Sequence, residues 1–230
     1  NSNTKPCLLG HEFRKINTNL TLNLAKQAAK YSVKRFVFLS SIGVSGNQNN
    51  KPFNESDVPD PQDSYAVSKY EAEQGLFKIS KNTNLEIVVI RPPLVYGPNA
   101  PGNFGRLIGW AKAKFLLPLP LGAVNNQRSL VAIDNLIDFI VTCVIHKDAS
   151  NEIFLISDNQ DLSTTQLLRK IAIAFDKRVF LLAIPIRLMT FIASLLGKGK
   201  DANRLFSSLQ VDSSKAQKIL GWHPKTTIDK

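Results

Sequence analysis

Apolar positions recur at helical spacing from Ile16 to Tyr31, with Leu20, Leu22, Leu24, Ala25, Ala28 and Ala29 supplying one side, so the first predicted element is an amphipathic helix. Phe36-Val37-Phe38-Leu39 follows, apolar without alternation, rich in aromatic and β-branched residues and too short for a helix. It reads as a buried strand ending in Ser40-Ser41. A polar loop rich in Asn, Asp and Pro runs from Gly46 to Asp63. Asp63 or Ser64 suits the amino-terminal cap of a helix that starts at Tyr65, continues through Glu71, Glu73 and Leu76, and breaks at Lys81-Asn82-Thr83-Asn84. A second apolar strand, Leu85 to Ile90, leads into Arg91-Pro92-Pro93-Leu94-Val95-Tyr96-Gly97-Pro98.

Beyond Pro98 the pattern loosens. Asn99-Ala100-Pro101-Gly102 predicts a turn and Asn103 to Lys114 a helix, whereas Leu117-Pro118-Leu119-Pro120-Leu121-Gly122 cannot be helical and is expected to line or cover a site. Arg128 to Leu136 predicts a short strand entering a helix that ends near His146, and Glu152 to Ser157 a further strand. Asp161-Leu162-Ser163-Thr164-Thr165 caps a helix whose apolar side includes Leu167, Leu168, Ile171, Ala172 and Phe175. Val179 to Leu196 is the most apolar late stretch, but Pro185 and Arg187 interrupt it, which argues against a spanning helix and leaves a peripheral contact open.

Composition adds three constraints. An apolar content of 43% in 230 residues can bury a sizeable core, as one domain or as a domain with a cap. Lys+Arg 29 against Asp+Glu 18 gives +11, which suits anionic partners such as nucleotides, nucleic acid or acidic lipid. The basic residues are scattered, with no block of five like charges, so nucleic acid is not expected. Cys7 and Cys143 suggest neither a disulfide framework nor a metal site, and His11, His146 and His223 have no ligand spacing; a reducing, cytoplasmic compartment is the default.

The chemistry centres on Tyr65-Ala66-Val67-Ser68-Lys69, which puts a phenol and an ammonium four residues apart on one helix face. A tyrosine near its ordinary pKa of about 10 is a poor base at neutral pH, and a nearby lysine charge is expected to favour the phenolate. In a parallel sheet, ligands gather at the carboxyl ends of the strands, which places Ser41 at the rim of the site.

The ordered set of strand, Ser-Ser, loop, Tyr-x-x-x-Lys helix, strand and Arg-Pro resembles the extended short-chain dehydrogenase/reductase family, with its nucleotide-sugar epimerases, dehydratases and ketoreductases. Asn17, Thr21, Asn23 and Leu24 also match that family's Asn-Val-x-Gly-Thr-x-Asn-Leu pattern, with Leu20 in place of the glycine, a departure that bears on close helix packing. The family's Gly-x-x-Gly-x-x-Gly turn, whose amides hold the cofactor pyrophosphate, does not occur in this chain, so a fragment lacking the first third of a longer enzyme is expected, inactive alone. The implied fold is α/β: a Rossmann-like, doubly wound parallel sheet without its first strands, over residues 1–91 and 128–157, with a smaller mixed α/β substrate-binding cap over 92–127 and 158–230.

The resemblance also implies roles. Tyr65 would carry the proton, Lys69 would hold the nicotinamide ribose and lower the Tyr65 pKa, and Ser41 would hydrogen-bond the reacting oxygen. Ser40 would serve the cofactor side or simply end the strand, and Pro92 would lie at the carboxamide of NAD or NADP. Asn103 and Arg128 would hold the uridine diphosphate of a UDP-sugar, with Arg204 as a second phosphate-binding arginine. Family members carry Arg-Asp-Tyr-x-His-Val-x-Asp where Arg128 and Asp134 match here but Ser129, Leu130 and Ala132 do not. That departure is similar to the bacterial surface-polysaccharide branch and favours a 4-ketoreductase over a 4-epimerase. A homodimer through the Tyr65 helix and its neighbour is the family's habit. The rival is a non-enzymatic dinucleotide sensor or binding module; the matched Ser41, Tyr65 and Lys69 argue against it.

Overall fold

A computed structural model describes residues 10–98, 104, 108, 118–197 and 199–228. Asn103 and Cys7, and all but Phe104 and Ile108 of the helix expected to Lys114, lie outside the described residues. Three parallel strands form the main sheet: β1 (Arg35–Leu39), β2 (Glu86–Arg91) and β5 (Glu152–Leu155), with β2 in the centre. Two shorter strands, β3 (Leu94–Tyr96) and β4 (Leu130–Ala132), pair with each other in parallel.

Burial follows position in the sheet. Every residue of β2 from Ile87 to Arg91 is buried, and its alternating side chains feed two cores. Ile87 and Val89 face α1 (residues 10–30) and α2 (Ser64–Lys81), with Ala25, Phe38, Ala72 and Leu76. Val88 and Ile90 face α3 (Ile133–Ile145), with Phe139, Cys143, Phe154 and Trp222. At about 1.5–3 kcal/mol for each fully buried aliphatic side chain, β2 is the strand the fold is built on. The expectation of a buried strand at β1 holds only for Phe38; Leu39 is 40% exposed, because β1 is an edge strand among the described residues.

Arg35 ties β1 to its surroundings. Its guanidinium pairs with Glu86 across the strands at 2.6 Å and its Nη1 donates to the carbonyls of Cys143 and His146, both at 2.7 Å, closing the carboxyl end of α3. The far edge of the sheet is covered by side chains: Leu155 N donates to Glu55 Oε1 at 2.8 Å, and Lys215 Nζ donates to Ile153 O at 2.8 Å.

α1 is one helix whose Arg14–Leu20 section is π-wound, and that section meets α2. Thr18 Oγ1 donates to the Ser68 carbonyl at 2.8 Å, and Asn17 Nδ2 to Ser68 Oγ at 3.0 Å. Leu20, which replaces the glycine of the family pattern, points to solvent and obstructs nothing; Leu24 is exposed as well, so only part of the expected apolar side is buried. The glycine at the contact is on the other helix, where a Cβ at Gly75 would come within 2.5 Å of the Leu22 side chain.

A third core gathers Tyr96, Phe104, Leu121, Val124, Leu130 and Leu162 with α4 (Thr164–Ala174), which opens on a capping box between Ser163 and Gln166. α5 (Ile186–Leu195) and α6 (Gly199–Phe206) follow. In the tail, Ala216, Leu220 and Trp222, on and after α7 (Ser214–Leu220), share the core of Val88, Ile90 and Phe154. The closing helix thus carries apolar groups that complete the sheet's own core.

Candidate functional site

α2 is aimed at the carboxyl end of β1 by its cap. Asp63 Oδ1 accepts the Ala66 N–H at 2.8 Å, as the sequence predicts, and starts the helix so that Tyr65, Lys69 and Glu73 line one face. Glu73 is fully buried, Lys69 is half-buried, and Tyr65 is 38% exposed at the rim. The Phe13 ring meets Tyr65 edge to face, with centroids 5.6 Å apart.

Tyr65 and Lys69 are brought together, though not by a direct hydrogen bond. Lys69 Nζ lies 5.8 Å from the centre of the Tyr65 ring and 4.7 Å from that of Phe38, and donates to the Leu39 carbonyl at 2.9 Å. Burial lowers the Lys69 pKa, opposed by Glu73 one turn away. Burial, and then the Asp63 carboxylate, push the Tyr65 pKa up, against the downward influence expected from Lys69. Removal from water and a neighbouring anion both disfavour the phenolate.

Ser41 sits where β1 ends. Its Oγ accepts the Gly43 N–H at 3.1 Å and caps a short 3₁₀ turn, Ile42–Val44, which leaves its own O–H able to donate. A Cβ at Gly43 would stand 3.3 Å from Ser41 Oγ and 3.5 Å from Ala66 Cβ, so the glycine lets this turn lie against the first turn of α2. Pro92 follows β2 on the same end of the sheet, and its carbonyl accepts the Ile42 N–H at 3.0 Å.

Ser40, expected to serve the cofactor side or simply to end the strand, is turned inward. It is buried and donates to Glu73 Oε1 at 2.5 Å, so its hydroxyl points into the protein, away from Ser41's side of the strand. The reason lies in an arrangement the sequence reading passed over. Arg91 Nε and Nη2 donate to Glu73 Oε1 and Oε2 at 3.0 and 2.6 Å, and Nη1 donates to Ser45 Oγ at 3.3 Å. A charged residue closing an otherwise apolar strand, and a glutamate one turn beyond Lys69, were the available signals.

The arginines gather across the rim. Arg128 Nη1 donates to the carbonyls of Arg204 and Ser207 at 2.9 and 3.2 Å, and burial together with the Arg204 charge lowers the Arg128 pKa. Arg204 Nη1 in turn meets Asp63 Oδ2 at 3.3 Å, so Asp63 serves both the cap of α2 and this cationic pair. Two arginine charges that act on each other favour an anion nearby. Among the described residues no group of three or more His, Cys, Asp and Glu could hold a metal ion.

Comparison with known proteins agrees with this geometry. Residues 9–157 match the family described as NAD dependent epimerase/dehydratase. The chain is 44% identical over 219 residues to a UDP-glucose 4-epimerase of Vibrio cholerae, covering 94% of this chain and 66% of that protein. It is 28% identical over 173 residues to the N-acetyl-alpha-D-glucosaminyl-diphospho-ditrans,octacis-undecaprenol 4-epimerase of Escherichia coli O157:H7, covering 74% and 51%. The crystal structure of UDP-glucose 4-epimerase from Thermotoga maritima with UDP-glucose superposes with a TM-score of 0.73 at 24% identity, over 94% of this chain and 66% of that one, which shows the shared fold. The chain thus spans about two thirds or less of the length of these relatives. With its parallel sheet, its Tyr-x-x-x-Lys helix and a match over residues 9–157, the chain belongs to the NAD dependent epimerase/dehydratase family.

Proposed function

We propose that this chain carries the acid/base and sugar-diphosphate portion of an NAD(P)-dependent oxidoreductase acting at C4 of a nucleotide sugar, a UDP-sugar of surface-polysaccharide synthesis, and that the reaction is 4-ketoreduction. The observation that carries the reading is Tyr65 and Lys69 side by side on α2, at the carboxyl end of β1 beside Ser41. A protonated phenol at neutral pH is suited to giving a proton to a developing alkoxide.

The nicotinamide, when bound, supplies the hydride. Tyr65 gives its proton to the C4 oxygen, Ser41 donates a hydrogen bond to the same oxygen, and Lys69, with one of its three donors on Leu39, directs others toward the ribose. These side chains fit the nicotinamide half of a dinucleotide. The glycine turn that would cradle its pyrophosphate is not among the 230 residues. On the substrate side Arg128 and Arg204 receive the diphosphate, which competes with Asp63 for Arg204. Asn103 is assigned to the same group by resemblance alone.

A second reading, 4-epimerisation of a UDP-sugar, is favoured by the 44% identity to the Vibrio cholerae protein. It uses the same residues, with Tyr65 first removing and then returning the proton. A full-length form given a UDP-4-keto sugar and reduced cofactor separates the two: stoichiometric cofactor oxidation supports reduction, and interconversion without net oxidation supports epimerisation. Tyr65→Phe should cut turnover by about two to four powers of ten while leaving substrate affinity within a few fold. Near-native turnover removes the reading. A homodimer is proposed with it, through the face of α1 where Ile16, Leu20 and Leu24 lie exposed at four-residue spacing beside α2. Light scattering on Leu20→Glu against the parent chain tests that contact. No described helix is long and apolar enough to cross a membrane.

A further inference from the structure

α5 buries none of its residues. Leu188, Phe191, Ile192 and Leu195 are 50, 62, 48 and 72% exposed, and their spacing puts them on one face, flanked by Met189, which packs against the core that holds Leu167 and Ile171. Phe180, Leu182 and Leu196, before and after α5, are exposed too. That is more contiguous apolar surface than a monomer in water leaves without a reason. At ten residues, α5 is also far too short to span a bilayer.

The charge around it is one-sided. Between residues 176 and 197, the stretch that holds α5 and its described flanks, the chain carries Lys177, Arg178 and Arg187, all exposed, against Asp176 alone. A second copy seated on the same face would bring two such cationic stretches together, whereas an anionic layer would be attracted. The face is also tied to the candidate site, because α5 packs on α6, and α6 carries Arg204, which reaches Asp63 at the cap of the Tyr65 helix.

We propose that α5 and its flanks form a docking surface for an anionic lipid bilayer, with the helix lying flat in the headgroup layer and the basic residues on the phosphates. Docking would present the arginine pair to sugar diphosphates at the membrane surface. The inference goes beyond the catalytic reading and does not depend on it, since binding is measured without turnover.

The test is flotation of the 230-residue chain with vesicles of phosphatidylcholine and with vesicles containing a third phosphatidylglycerol. The parent chain should partition at least about tenfold more onto the anionic vesicles, and the preference should weaken with added salt. Phe191→Ser with Leu195→Ser, and separately Lys177→Glu with Arg178→Glu and Arg187→Glu, should each lower that partition by about tenfold or more. All five positions are exposed, so an unchanged thermal melt verifies that both variants are folded. Equal partition onto the two vesicle types overturns the proposal. So does binding that survives Phe191→Ser with Leu195→Ser, which would be attraction by overall charge alone. A self-associating parent that these variants dissociate, without vesicle affinity, assigns the face to a second copy and overturns it as well.

Discussion

Arg91 and Glu73 meet as a two-point ion pair that water does not reach: Nη2 to Oε2 is 2.6 Å, Nε to Oε1 is 3.0 Å, and the residues are 2% and 0% exposed. Ser40 adds a third hydrogen bond to the same carboxylate, so the pair fastens the end of β1, the end of β2 and the middle of α2 to one another.

Removing one partner strands a buried charge, and that cost exceeds what the intact pair contributes. Glu73→Gln or Arg91→Met should each cost about 3–5 kcal/mol in urea unfolding, whereas Glu73→Leu with Arg91→Met should recover most of the loss. A double variant no more stable than either single one would show that the pair matters through packing rather than charge.

Asp63 faces two ways, to the Ala66 amide and to Arg204, and its charge helps hold the Tyr65 phenol in its protonated form. Asparagine caps helices about as well, so Asp63→Asn should leave stability nearly unchanged; the Arg204 pair is exposed and worth at most about 1 kcal/mol. The Tyr65 titration, read as difference absorbance against Tyr65→Phe, should move to lower pH. The sign for stability follows from burial. Between the unfolded value near 10 and the raised folded value, the folded state binds more protons, so stability is lost as pH rises through that window. Tyr65→Phe should flatten the decline above the unfolded value of about 10. An identical decline in parent and variant would mean that folding does not raise the Tyr65 pKa.

Cys143 lies in the core with Phe139 and Phe154, and burial pushes its thiol up to about 12, with Arg35 opposing. At pH 8 its alkylation by iodoacetamide should be roughly a thousandfold slower than that of a free cysteine, whose pKa is about 8.5. Full reactivity should return in urea. Mass mapping of the peptide containing Cys143 checks it, and rapid native modification would contradict the packing around α3.

Much of this arrangement was legible in residue order. The cap at Asp63, the helix carrying Tyr65 and Lys69, the strand after Leu85 and the cap within Asp161–Thr165 each depend on neighbours within a few positions, so local patterns sufficed. The direction of the Tyr65 shift was not legible. It depends on burial and on Asp63, while the nearby ammonium is already engaged by the Leu39 carbonyl. Nor was the inward turn of Ser40, which is set by Glu73 33 residues away. The return of Trp222 to the sheet escaped for the same reason, since its partners Phe139 and Asp138 are far along the chain. Long-range pairing of polar groups leaves no periodicity to read.

Glu55 closes the far edge of the sheet by accepting the Leu155 N–H, and burial raises its pKa; the Leu155 amide and Lys215 oppose the shift and Asp212 adds to it. A raised folded-state pKa means the folded protein binds the proton more tightly than the unfolded chain does. The associated stability is therefore present below the unfolded value, about 4.3, and is lost as pH rises through the folded one. Glu55→Gln keeps a carbonyl oxygen for Leu155 and removes the charge. It should be more stable than the parent at pH 7, and the advantage should vanish at pH 3.5, where Glu55 itself is neutral. Urea midpoints at the two pH values measure this. A glutamine variant weaker than the parent by the same margin at both would mean that the contact depends on shape and not on ionisation.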